Sequence, residues 1–314
     1  MPFFLFTLGL AIGSFINVVS LRFQPGQNLE GEPRSTMIWL RGRRVPYGAR
    51  LLDSKIIGGR SRCPYCQRQL NWYELIPVLS FIFLAGRCRT CKRRISFQYP
   101  LVEILSGLIF LFVPLTLSDP KLRIYPNAPN VFLFLNCTLW VLIFELFLLL
   151  SIIDFRHYII PDSINLSLGI LGVFLIVLKS QTTNYKLQTT NSFLGYYSSL
   201  FTFTNNIWLN HLMGFIFAAF VFWLIIFLSR GKGMGWGDFK LACALGLIFG
   251  WPDILMVFVL SFLLGGLSGI ILIILKKKKL KEAVPFGPFL VIGATLVFFF
   301  GFQIINWYFG ILSL

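Results

Sequence analysis

From Val131 to Ile153 the chain reads VFLFLNCTLWVLIFELFLLLSII, and the next residue is Asp154. Across that run Glu145 is the only acidic or basic side chain. A stretch of this length and polarity can cross the hydrocarbon core of a bilayer as one helix. Working outward, comparable runs lie at 3–21, 99–117, 163–179, 207–228, 239–252, 254–275 and 288–313. The run at 239–252 is short, and its start is expected inside the glycine-rich loop that precedes it. Composition agrees: 56% of residues are hydrophobic, 13% are charged and 35 are Phe, whereas an ordinary soluble domain is roughly 25% charged. Mean hydropathy is +0.77. The pattern predicts an all-α polytopic membrane protein with about eight transmembrane helices. The first twenty residues lack a basic leading segment and a small-residue cleavage site, so they read as a retained span rather than a removed signal.

The net charge of +16 is confined to a few loops, which argues for topology signals and against nucleic acid as a partner. With the N-terminus outside, the inside loops 22–98, 154–162, 229–240 and 276–287 hold 15, 1, 3 and 5 Lys or Arg. The outside loops hold Lys121, Arg123, Lys179 and Lys186. This balance places the 22–98 loop in the cytoplasm, together with the loops that follow Asp154 and precede Asp238. The Ser-, Thr- and Asn-rich segment 180–206 reads as an irregular outside loop. The expected organisation is a first helix (1–21), a cytoplasmic loop (22–98) and a membrane core (99–314).

Four of the six Cys stand in two pairs, Cys63-Pro64-Tyr65-Cys66 and Cys88-Arg89-Thr90-Cys91. Two CxxC knuckles about twenty residues apart have zinc-ribbon spacing. A pair of disulfides is the alternative, disfavoured in a reducing cytoplasm. A site closed by four thiolates leaves no open position for water, so Zn2+ here is expected to be structural. Cys137 and Cys243, inside apolar spans, read as small buried hydrophobes.

Only twelve Asp and Glu occur in the chain. Glu30, Glu32, Asp53, Asp119, Asp253 and Glu282 sit in loops or at span ends and read as solvated surface. Asp162, after Pro161, reads as a helix cap. Asp154 is different: a carboxylate at a helix C-terminus opposes the macrodipole, and at a membrane span it is a functional candidate. Asp238 closes Gly231-Lys232-Gly233-Met234-Gly235-Trp236-Gly237-Asp238, whose alternating glycines let a peptide backbone approach closely at Gly235 and Gly237. Two carboxyls brought together share a proton, and such a pair can act as base and acid in peptide hydrolysis. No serine-nucleophile or metalloprotease pattern accompanies His157 or His211.

Taken in order, these segments resemble the type IV prepilin peptidases, aspartyl proteases of the GxGD kind. The match comprises Gly13-Ser14-Phe15-Ile16-Asn17, the paired CxxC loop, Tyr99-Pro100-Leu101-Val102-Glu103, Asp154 through Pro161-Asp162, Gly235-Trp236-Gly237-Asp238-Phe239-Lys240 and Pro285-Phe286-Gly287-Pro288. The resemblance implies a bacterial inner-membrane enzyme with Asp154 and Asp238 as catalytic residues. Its substrates would be prepilins or pseudopilins, lying in membrane lipid and cut after a glycine on the cytoplasmic side. It also implies N-methylation of the new terminal residue from S-adenosylmethionine, an activity associated with the cysteine loop. The terminal amine, with a pKa near 8, can lose the proton that methyl transfer requires. Glu74 and Glu103 are candidate cofactor contacts. The segment from Phe23 to Arg62, with its basic Arg41-Gly42-Arg43-Arg44, is longer than the family pattern. Three readings compete: a peptidase without methyl transfer, an ion-coupled transporter using Glu145 and Asp154, and a non-catalytic scaffold with a zinc module.

Overall fold

The computed structural model describes residues 2–23, 37–40, 43–46, 60–118, 130–182, 192–200, 206–231, 233–276 and 284–312. Glu30, Glu32, Asp53, Asp119 and Glu282 lie outside the described residues, as do Arg41, Gly42, Lys121, Arg123 and Lys186. The helices are α1 (Pro2–Arg22), α2 (Leu79–Phe83), α3 (Gln98–Ser118), α4 (Asn130–His157), α5 (Asp162–Thr182), α6 (Ile207–Leu228), α7 (Trp236–Phe249), α8 (Asp253–Ile274) and α9 (Gly287–Leu312). A small antiparallel ribbon, β1 (Met37–Leu40) with β2 (Arg43–Pro46), pairs Met37 with Pro46 inside the 22–98 loop. Among the described residues seven helices are long and apolar enough to cross a membrane, and the protein is a multi-pass membrane protein. The eighth expected span is α7. It starts within the glycine loop and has 14 residues, about 21 Å at 1.5 Å per residue, short of the ~30 Å hydrocarbon core.

The chain divides into two compact units. The first comprises Met1–Leu115 with Phe144–Ile153. In it α1 and α3 pack antiparallel through small residues. A Cβ on Gly9 would lie 2.7 Å from the Ser106 carbonyl, and one on Gly13 would lie 2.7 Å from Glu103 Cα. One turn further along, Asn17 Nδ2 donates to the Tyr99 carbonyl at 3.0 Å. Close backbone approach of this kind is how apolar helices adhere where lipid removes the hydrophobic drive. The Ser106 hydroxyl donates to the Gly9 carbonyl at 2.6 Å and lies 2.9 Å from Glu145 Oε1. Glu145 is buried, as its place deep in the third span implied.

The second unit comprises Thr116–Ile143 with Asp154–Leu314. Its centre is aromatic: Trp140 meets Phe193, Phe249 and Phe298 at centroid distances of 5.4, 5.6 and 4.6 Å. Around it, α6 and α7 cross at Gly214 and Gly246, where a Cβ on Gly246 would fall 2.5 Å from the Gly214 carbonyl. A Cβ on Gly293 of α9 would fall 2.7 Å from the Val257 carbonyl of α8.

Three sequence expectations are corrected here. Asp253 is not surface: it is 1% exposed and accepts hydrogen bonds from the Ser192 hydroxyl and, at 3.0 Å, the Phe193 amide. Lys179 is not an outside-loop charge: it lies in the last turn of α5, 2% exposed, within electrostatic reach of Asp253. Burying both charges together lets each offset the other's desolvation. Asp162 does not cap α5. The Pro161 carbonyl accepts from Ile164 and Asn165, so Asp162 is already in the first helical turn. Within 180–206, Gly195–Leu200 forms a 3-10 turn.

Candidate active site and metal centre

Asp154 lies in the last turn of α4, which ends at His157 just before the positive-φ residue Tyr158. It is 4% exposed, and its Oδ2 accepts from the Gly287 amide at 3.1 Å. Gly287 begins α9, so a carboxyl set against its own helix dipole receives the positive end of another. The Pro285-Phe286-Gly287-Pro288 segment was visible in the sequence, although this use of its amide was not.

Asp238 lies in the first turn of α7, half-buried, with Oδ2 accepting from the Gly235 amide at 3.3 Å. Its carboxylate is within electrostatic reach of Asp154. The turn that carries it is stitched to the start of α5. The Lys240 ammonium donates to Asp162 Oδ1 at 2.8 Å, and Asn165 Nδ2 donates to the Gly237 carbonyl at 3.4 Å. A Cβ on Gly237 would sit 3.2 Å from Ile160 Cβ, a tight contact. Gly237 therefore packs closely against Ile160, while Gly235 is exposed and meets little besides Asp238. Sequence reasoning missed Lys240 and Asn165 as site residues. The available signal was that Asp162 and Asn165, three apart, share a helix face.

The four cysteines converge. Cys63, Cys66, Cys88 and Cys91 bring their sulfurs within 4.8 Å of one another, and Cys63 and Cys91 are 3.9 Å apart. A tetrahedron with Zn–S bonds of about 2.3 Å requires S···S separations of about 3.8 Å, so the donor set fits zinc. The knuckles are built alike. Gln67 donates its amide to the Cys63 carbonyl and Lys92 to that of Cys88, each at 3.0 Å. Both residues take positive φ, 57° and 56°, a turn that wraps the backbone around the metal position. The Cys91 and Thr90 amides pull the Cys88 thiol well below the ordinary thiol range, toward the thiolate a metal needs.

Glu74 and Glu103 are both engaged within the first unit. Glu74 accepts from Arg68 at 2.5 Å and from the Asn71 amide at 2.9 Å. Burial works against its charge, but these two donors prevail and hold it below the usual carboxylate range. Glu103 Oε2 accepts from the Val78 amide at 2.8 Å. Both carboxylates brace the cysteine loop.

Two carboxyls within electrostatic reach and a cluster of four cysteines are the side chains that acid–base hydrolysis and a structural metal use. Comparison narrows this. Residues 7–117 match the bacterial Peptidase A24 N-terminal domain and residues 140–270 match the type IV leader peptidase family. The chain is 32% identical over 305 residues to a protein of Aeromonas hydrophila named Prepilin leader peptidase/N-methyltransferase, covering 96% of this chain and 92% of that one. Proteins of the same name from Stutzerimonas stutzeri (31% over 297 residues; 95% and 90% covered) and Pseudomonas aeruginosa (29% over 304 residues; 96% and 91%) are similar along the same length. This chain belongs to the type IV leader peptidase family. No solved structure matches it significantly.

Proposed function

We propose that this protein removes the leader peptide from type IV prepilins or pseudopilins, using Asp154 and Asp238, and then N-methylates the new terminal residue. The observation that carries the peptidase reading is the approach of the two carboxyls from separate helices, each held through one oxygen by a backbone amide at the start of a helix. The pair works with one shared proton. The ionised carboxyl takes a proton from water as that water attacks the scissile carbonyl, and the protonated one donates to the carbonyl oxygen. Collapse of the tetrahedral adduct returns a proton to the leaving amine. The exposed Gly235 backbone leaves room for an extended peptide beside Asp238.

S-adenosylmethionine supplies the methyl group when it is bound; Glu74 and Glu103, which brace the loop, are the candidate contacts for it. Zn2+ on Cys63, Cys66, Cys88 and Cys91 fixes the fold of residues 60–97. The excess of Lys and Arg in the loops supports a bacterial inner-membrane location with the cysteine loop and both aspartates facing the cytoplasm. The 22–98 loop is the region proposed for methyl transfer, and the helices from 99 onward form the peptidase core.

The test is cleavage of a purified prepilin, with the product read by mass spectrometry. The wild type should yield a mature chain heavier by one methyl. Asp154→Asn and Asp238→Asn should each lose turnover by at least about 10³-fold, as expected when half of an acid–base pair is removed. Full cleavage by either variant overturns the assignment. Cleavage without the added methyl would leave a peptidase alone.

A further inference from the structure

Between Arg60 and Phe97 the first unit carries eight Lys or Arg and one acid, Glu74, which is taken up by Arg68. The same segment exposes Trp72 (78%), Ile82 (63%), Phe83 (83%) and Phe97 (68%). Large apolar side chains crowded onto a loop outside the spans need a cover.

The two features belong to one piece. The second knuckle continues directly from α2: the Gly86 amide donates to the Phe81 carbonyl at 2.8 Å, and the Ile95 amide to the Gly86 carbonyl at 2.7 Å. Phe81 closes over Gly86, where a Cβ would lie 2.9 Å from the ring, and meets Phe97 at 6.2 Å. Arg89 donates to the Tyr73 hydroxyl at 2.6 Å and lies over its ring, which fixes the Trp72 turn to the same knuckle. A zinc-braced block therefore presents apolar side chains from α2 and the Trp72 turn beside guanidinium groups from the knuckles.

We infer that this block docks on the anionic headgroup layer of the membrane that its own helices cross. Basic side chains next to Trp and Phe are what an interfacial segment offers: rings enter the headgroup–acyl boundary while cations meet lipid phosphates. The chain enters the block from α1, which ends at Arg22, and leaves it into α3, which begins at Gln98, so both ends are tethered to spans. Four thiolates with one Zn2+ carry a net charge of −2, which still leaves the block positive.

The experiment uses the full-length, zinc-loaded protein in nanodiscs whose lipids are brominated near the headgroup. The Trp72 signal is taken as the difference between wild type and Trp72→Phe. In discs with phosphatidylglycerol, Trp72 emission should be quenched at least about two-fold, and high salt should weaken the quenching as screening shortens the reach of each charge. Phe83→Glu and the combined Arg87→Gln, Arg89→Gln, Arg93→Gln variant should each release it, with zinc content measured in parallel to show the loop still folded. If the combined variant loses zinc, Phe83→Glu decides alone. Unquenched Trp72 in zinc-loaded wild type, or quenching equal in neutral and anionic discs, overturns the inference.

Discussion

Gly237 shows how tightly the aspartate pair is set. A Cβ there would lie 3.2 Å from Ile160 Cβ, so Ile160 would have to give by a few tenths of an ångström to admit even a methyl. Gly237→Val should push the first turn of α7 away from α5 and lower kcat for leader cleavage at least about ten-fold, since misplacing a catalytic group by an ångström costs this much or more. Gly235→Ala, at an exposed position, should cost far less, and comparing the two in one assay checks the argument. Asp253 makes a different prediction. It and Lys179 are buried together, so Lys179→Met alone should destabilise by about 3–5 kcal/mol by stranding a charge. Lys179→Met with Asp253→Asn should recover part of that loss in thermal unfolding. Asp154 and Asp238 could be singled out as candidates because each is a carboxyl at the end of an apolar run. Asp253 could not, because Gly250-Trp251-Pro252-Asp253 reads like any turn and its partner Ser192 is 61 residues away.

At the scale of elements, the starts of α5 and α7 are clasped by Lys240 and Asp162, whose side chains are about 40% exposed. An ion pair that open contributes only ~0–1 kcal/mol to stability. Its effect should instead appear in turnover, through the position of Asp238 two residues away. Asp162→Lys and Lys240→Asp should each reduce kcat about ten-fold with little change in melting temperature, and the double reversal should restore most of the rate. Unchanged kinetics in both single variants would make the pair incidental. All eight expected runs correspond to helices within about four residues, because long uncharged runs report burial in lipid directly. The extent of α7 was harder to read. Hydropathy continues through Phe249, Gly250 and Trp251, whereas the helix stops where Gly250 takes φ +75° beside His211.

For the whole molecule, the proposal separates two tasks: a zinc-braced loop serving methyl transfer and a helical core serving cleavage. Removing zinc with a chelator should unfold residues 60–97, seen as loss of amide protection and four newly reactive thiols. It should suppress methylation much more than cleavage, both read from one mass spectrum. The CxxC spacing made the four-cysteine cluster readable in advance; the approach of Asp154 and Asp238 from distant helices was not, because no local pattern encodes it. That convergence is the central claim and can be measured. With Cys137 and Cys243 replaced by Ala and the other four cysteines held by zinc, Asp154→Cys and Asp238→Cys in one chain should be joined efficiently by a short bifunctional thiol reagent in intact membranes. Two thiols that each react freely with a monofunctional reagent yet are never joined would contradict the account.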